Sequence, residues 1–352
     1  MMRFAEPRTS ITVIRETRVM RRTIRAARLT AFAVAAAATL AACGSVASRE
    51  AGESEIKIGL ITKTETNPYF VAMRQGAQAM ATARSATLMP AAGRYTGDNA
   101  TQVAAIENMV KAGVKGILIT PNDATAIVPS IKKARDAGVL VIALDTPTKP
   151  QNATDALFGT DNFKAGQLIG LYAKAMMGDR PAKIVTLDAA PVSSVSRLRH
   201  AGFLKGFGIA EGSPSIVCSK YSYGDRTLSR IMMRDCLREA PDLNVVYTVN
   251  DPTAFGAHAA LKARGREKSV VVVSVDGGCV GVQAVEVGQI AATAQQYPLK
   301  MAEMGVQAVV EYAETGVKAS GFTDTGVKLI TNKPVPGIES KNTFFGRQFC
   351  WD

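Results

Sequence analysis

Histidine and tryptophan are nearly absent from this chain, with two His and one Trp in 352 residues. His200 and His258 show no metal-ligand spacing and no C-x-x-C motif accompanies them, so no metal site is expected. A phosphate-cradling P-loop is also missing, so no nucleotide hydrolysis is expected of the chain, and no cofactor is implied. No low-complexity tract interrupts the main body, and no Gly/Ser- or Pro-rich linker divides it. Nor is there a Lys/Arg stripe with interleaved aromatics, the footprint that nucleic-acid binding would leave.

Only one long apolar run occurs, at residues 29–42, LTAFAVAAAATLAA. Fourteen residues are short for a membrane span, and Arg21, Arg22, Arg25 and Arg28 precede them, so the run is read as the core of a secretory signal. Its LAAC ending resembles a bacterial lipobox, which makes residues 1–42 the signal peptide and Cys43 the lipidated first residue. An ordinary signal with an incidental Cys is the plain alternative, and Met20 is a second candidate start. Eight arginines and two acids stand before Cys43, so only half of the net charge of +12 belongs to the rest. The expected location is the periplasm or the outer face of the cytoplasmic membrane, with a lipid anchor as the only membrane contact. Four cysteines follow, Cys218, Cys236, Cys279 and Cys350, an even number that suits disulfides in an exported chain. Three pairings are possible, and Cys218–Cys236 with Cys279–Cys350 is preferred.

What is present is organised around residues 56–81, IKIGLITKTETNPYFVAMRQGAQAMA. The spacing predicts a buried strand over 56–61, a polar loop and a helix from Pro68. Asn67 can cap the helix and Pro68 costs no hydrogen bond in the first turn. Phe70, Met73, Ala77 and Met80 form one apolar face, while Tyr69 and Phe70 place two aromatics just past a strand's carboxyl end. In open α/β sheets that rim binds ligands, although aromatics there can also simply pack locally.

The same strand-and-helix grammar repeats. Helices are predicted over 99–112, 124–136, 162–177, 194–208, 226–239, 253–264 and 299–315. Strands are predicted over 115–119, 139–144, 182–187, near 216, and over 245–249, 269–275 and 290–294. Runs such as VVVVSV are typical of parallel strands covered on both faces. About 300 residues of this pattern exceed one comfortable core, so two α/β domains joined by short crossing segments and a hinge are expected. Polar residues stand at successive strand ends: Asn67, Asn122 with Asp123, Asp145, Asp188, Asn250 and Asp276. Each alone is commonly a cap or turn residue; several on one rim suit a hydroxyl-rich ligand, whose hydroxyls need paired acceptors and donors.

With IGLITKTETNPYFVAM, GILITPNDATAIVPSIKKARDAGVLVIALDTP, GTDNFKAGQLIG, RLRHAGF, VVYTVNDPTAFGA, VVVVSVDGG and ATAQQYP, the chain from residue 56 onward resembles the periplasmic sugar-binding proteins of ABC transporters, of the ribose-binding type. The segments TDNF, VSVDGGC, QQYP, DTGVKLIT and Cys350-Trp351 look closest to fructose-binding members. The resemblance implies two Rossmann-like, doubly wound parallel-sheet domains joined by a hinge, the periplasmic binding protein type I fold. It places one lobe at 56–160 plus 296–325 and the other at 161–295 plus 326–352. By the family's pattern, Asn67 hydrogen-bonds a sugar hydroxyl, Tyr69 and Phe70 pack on the ring, and Asp145 accepts from hydroxyls. Arg199 is the sugar-contacting arginine, with Arg197 as fallback, and Asn250, Asp276 and Gln296 complete the second wall. Tyr223 is a weaker match for an opposing aromatic. Ribose binders follow the aspartate with Arg, where this chain has Thr146, so one bidentate donor is missing.

The resemblance further implies a monomer that binds a monosaccharide, fructose first, and docks on an ABC permease driven by its own ATPase. Three other readings compete. A carbohydrate-active enzyme could use Asp145 and Asp276 as paired carboxylates, but those residues serve more simply as hydroxyl acceptors, so no enzyme is expected. A repressor core would need an amino-terminal helix-turn-helix, against which the export signal argues. A sensor or chemoreceptor partner for a sugar or polyol is compatible with the same site.

Overall fold

The computed structural model describes residues 55–351; the expected signal peptide, residues 1–42, and Cys43 lie outside the described residues. Two six-stranded sheets carry the chain. The first contains β1 (Lys57–Thr62), β2 (Thr87–Ala92), β3 (Gly116–Ile119), β4 (Leu140–Leu144), β5 (Ala156–Gly159) and β11 (Gly321–Asp324). The second contains β6 (Ile184–Asp188), β7 (Ile216–Tyr221), β8 (Val245–Thr248), β9 (Val271–Asp276), β10 (Ala292–Gln295) and β12 (Lys328–Ile330). Their orders, β2-β1-β3-β4-β5-β11 and β7-β6-β8-β9-β10-β12, repeat one doubly wound topology. All pairings are parallel except β10 with β12. Two parallel-sheet α/β domains, as the sequence pattern implied, therefore make up the described chain.

Helices cover both faces of each sheet, which is why the central strands are apolar throughout. In the first domain α1 (Pro68–Ala83) and α9 (Pro298–Thr315) share a core with Leu60, Leu118 and Leu144. On the other face α2 (Asn99–Lys111) and α3 (Val128–Asp136) pack on Ile61, Ile117 and Ile119. In the second domain α4 (Asn162–Met177) and α5 (Ser194–Phe207) cover Tyr247 and Val275. The opposite face carries α6 (Arg226–Glu239), α7 (Asp251–Lys262) and α8 (Cys279–Glu286). The chain passes between the sheets after β5, after β10 and after β11. Disulfides join Cys218 to Cys236 and Cys279 to Cys350, the preferred pairing.

Elements that escape the sequence pattern have visible causes. β2 carries Pro90, which a sheet tolerates because β2 is an edge strand. β5, β11 and β12 are four, four and three residues long, too short for a periodic signal, and α10 (Thr343–Phe349) has only seven residues. Helix α3 begins at Val128, four residues later than expected. Asp123 accepts from the Thr125 and Ala126 amides at 2.9 Å each and holds a turn where the sequence pattern predicts the helix start.

Candidate functional site

The carboxyl ends of the two sheets face one another, and the eight residues matched to the family's binding pattern reach the gap, whereas the strand-end residues Asn122, Asp123 and Asp188 do not line it. Asn67, Tyr69, Phe70, Asp145, Arg199, Asn250, Asp276 and Gln296 all line one narrow cavity of about 60 Å³. It adjoins a wider cleft of about 1040 Å³ that shares Asn67, Tyr69, Tyr223 and Asp276 in its walls.

Local structure sets each group. Asn67 caps α1, its Oδ1 accepting from the Tyr69 amide at 3.0 Å. That turn points Tyr69 inward, where its hydroxyl donates to Asp145 Oδ1 at 3.2 Å. Thr146 Oγ1 donates to the other oxygen of Asp145 at 2.7 Å. Asn250 caps α7 by accepting from the Thr253 amide and hydroxyl, so capping and lining the cavity coexist in one side chain. Asp145 and Asp276 both have positive φ, +62° and +130°, conformations that a side chain normally avoids. Neighbouring strands enforce them: the Asp145 amide donates to Phe158 O and the Gln296 amide to Asp276 O, each at 2.9 Å. Strain of this kind concentrates at working sites.

Arg199 is the centre of the cluster. It is only 4% exposed although it stands on a helix that packs tightly on its neighbour. A methyl group on Gly166 of α4 would meet the Arg199 carbonyl at 2.0 Å, and one on Gly202 of α5 would meet the Phe163 carbonyl at the same distance. Glycine is thus required on both helices for this approach, which brings Arg199 within reach of Asn162. Its Nε donates to Asn162 Oδ1 and its Nη1 to Val249 O, both at 2.8 Å. The guanidinium also stands 3.5 Å from Asp276 and 4.0 Å from Asp145, between carboxylates of the two domains. Arg197, the fallback, turns outward to Pro191 O at 2.9 Å.

Burial sets the protonation of the cluster. It pushes the Asp276 carboxyl well above its usual range, with the Arg199 charge opposing. Neighbouring Asp251 is pushed up to about 6 by burial, although it accepts from the Gly277 amide and Thr293 hydroxyl. Burial and Asp145 together raise the Tyr69 hydroxyl well above its ordinary value, which keeps it a donor. Gln296 Nε2 donates to Asp276 Oδ1 at 2.8 Å, and its Oε1 is buried without a partner. The site therefore offers interleaved donors and acceptors beside aromatic rings, the chemistry suited to a polyhydroxylated molecule.

Sequence reasoning missed three participants. Lys63, the first residue after β1, is buried in the cavity wall, its ammonium pushed down by burial with Asp145 opposing. Its place immediately after a strand end was the available signal. Asn162, inside the GTDNF segment, orients Arg199 instead of lining the cavity. Trp351 lines the wider cleft and stands edge-on to Tyr69 at 5.2 Å, and nothing local in the sequence connects the two.

Comparisons with known proteins agree with this geometry. Residues 58–317 match the family described as periplasmic binding protein domain. The ribose import binding protein RbsB of Salmonella typhimurium is 30% identical over 78% of this chain and 90% of its own length. A D-ribose/D-allose-binding protein of Pseudomonas aeruginosa is 29% identical over 84% of this chain and 96% of its own. Among solved structures, an ABC transporter periplasmic solute-binding protein from Actinobacillus succinogenes with bound D-allose superposes with a TM-score of 0.71. It is 25% identical and covers 79% of this chain and 98% of its own. These relatives are solute-binding proteins and not enzymes.

Proposed function

We propose that this chain, which belongs to the periplasmic binding protein family and is by that membership an exported protein, is the substrate-binding component of an ABC sugar importer. It captures one monosaccharide between its lobes, residues 56–160 plus 296–325 and residues 161–295 plus 326–352, and presents it to a membrane permease. The observation that carries this reading is Arg199, buried between Asp145 of the first domain and Asp276 of the second, beside Tyr69. A sugar there touches both domains, so it stabilises the closed arrangement over an opened one through its differential affinity. Hinge closure around a ligand is common to periplasmic binding proteins, so the movement itself is the family's property.

Fructose is the first sugar proposed, on the TDNF, QQYP and Cys-Trp resemblance, with ribose, allose, mannose, xylose and polyols next. Thr146 removes the arginine that ribose binders carry, and Lys63 supplies a buried cationic donor from another strand end instead. The protein acts as a monomer, held at the membrane through a lipid on Cys43. A thermal-shift panel of these sugars on protein begun after Cys43 tests the assignment. A sugar at a hundredfold excess over its Kd adds about 2.7 kcal/mol of stability and raises the midpoint, an effect that Arg199→Ala removes. No shift with any member of the panel overturns the monosaccharide assignment.

A further inference from the structure

A further link joins the domains besides the three chain crossings. Helix α10 lies on α8 of the second domain: a Cβ on Gly346 would abut Val282, the Gly346 carbonyl accepts from Gln295 Nε2 at 2.9 Å, and Arg347 pairs with Glu286. Cys350, next along, is bonded to Cys279 in the first turn of α8, with Cα atoms 4.8 Å apart. The following residue reaches across. Trp351 joins the apolar core of the first domain, with its indole edge-on to Tyr69. Its Nε1 donates to Gln296 O at 2.9 Å, and its carbonyl accepts from the Cys279 amide at 3.2 Å.

We propose that Trp351 is a latch for the ligand site: pinned to the second domain by the Cys279–Cys350 bond, it holds Tyr69 in place and adds to the stability of the closed form. This rests on the reading that a sugar binds between the domains. Consecutive Cα atoms are about 3.8 Å apart, so Trp351 cannot stay behind in the first domain if α8 and Cys350 swing away by more than a few ångströms. Opening therefore withdraws a 5% exposed indole from its apolar seat into water and breaks the edge-to-face contact with Tyr69. Those contacts exist in one arrangement and not in the other, which is the property that shifts a two-state equilibrium. Trp351 is a positioning residue on this account: it acts on the sugar through Tyr69, whose hydroxyl reaches Asp145.

Trp351 is the only tryptophan, so its emission reports the latch directly. D-fructose, D-ribose, D-allose, D-mannose, D-xylose and the polyols are first titrated into the wild-type protein by calorimetry. With whichever sugar binds, the emission is expected to move to shorter wavelength and become less accessible to acrylamide. Trp351→Ala is expected to raise the Kd about tenfold, which corresponds to about 1.4 kcal/mol of lost closed-state contact. Trp351→Phe, which keeps an aromatic edge, recovers part of that loss. The paired substitution Cys279→Ser with Cys350→Ser behaves like the alanine variant although the indole is present. A Kd within twofold of wild type in the alanine variant, or emission that ignores the bound sugar, overturns the latch. Should the alanine variant not fold, the phenylalanine variant and the wild-type emission decide. Absence of any heat with the wild-type protein is a failure of the sugar-binding reading, recognised before a variant is made, and the latch is withdrawn with it.

Discussion

Replacing Arg199 by alanine removes the cation that stands between Asp145 and Asp276. Two short hydrogen bonds go with it, to Asn162 and to Val249 O, each 2.8 Å long at a buried side chain. Breaking a buried ion pair from one side typically costs about 3–5 kcal/mol, because the partner charge is left uncompensated. Here the cost depends on pH. Burial already raises the Asp276 carboxyl well above its usual range, so the folded protein holds that proton more tightly than the unfolded chain does. Ionising Asp276 therefore lowers stability as pH rises from the ordinary carboxylate range through the elevated value, and the Arg199 charge offsets that loss. Without the arginine the offset is gone. Arg199→Ala should therefore cost about 3–5 kcal/mol where Asp276 is ionised and less at lower pH, where Asp276 takes up a proton. Urea unfolding followed by circular dichroism at pH 5, 6.5 and 8 measures the loss at each pH. A loss below about 1 kcal/mol, or one that is the same at every pH, refutes the view that Arg199 neutralises buried carboxylates.

Two further outcomes follow from the second domain. Gly202→Ala places a methyl group against the Phe163 carbonyl and pushes α5 from α4, so a loss of about 1–3 kcal/mol is expected in thermal or urea unfolding, together with weakened sugar binding. His200 bonds to Asp188 at 2.8 Å and Glu211 at 3.0 Å, and although burial opposes its charge, these two carboxylates raise its affinity for a proton. Its contribution is complete below the ordinary histidine range, near pH 6.5, and disappears as pH rises through the elevated folded value. The melting temperature should thus decline from pH 6 to 8.5, with a shallower decline in His200→Gln; parallel curves for the two proteins contradict the assignment.

Much of this molecule was legible because its signals are local. Continuous β-branched runs announced the buried parallel strands, and the Asn67-Pro68 step announced the start of α1 and, with it, the direction of Tyr69. The rim residues were visible as polar groups that repeatedly end apolar strands, since only the carboxyl edge of a doubly wound sheet is left uncovered. What stayed hidden depends on distance along the chain. The contact between Tyr69 and Trp351 spans nearly the whole described chain, and the role of Asn162 depends on a helix crossing built from glycines in two different elements. Short edge strands such as β11 and β12 owe their conformation to a neighbouring strand and carry little pattern of their own.

The central claim is that one sugar is held by both domains at once. Calorimetric titration of the sugar selected by the thermal-shift panel into wild type, Asp145→Ala and Asn250→Ala tests it most directly, because the two substitutions sit on opposite walls of the cavity. One site per chain in the wild type, with binding weakened by at least about tenfold in each variant, is the predicted result. Binding that is unchanged in either variant would mean that only one domain holds the sugar, and the account of capture by closure would be wrong.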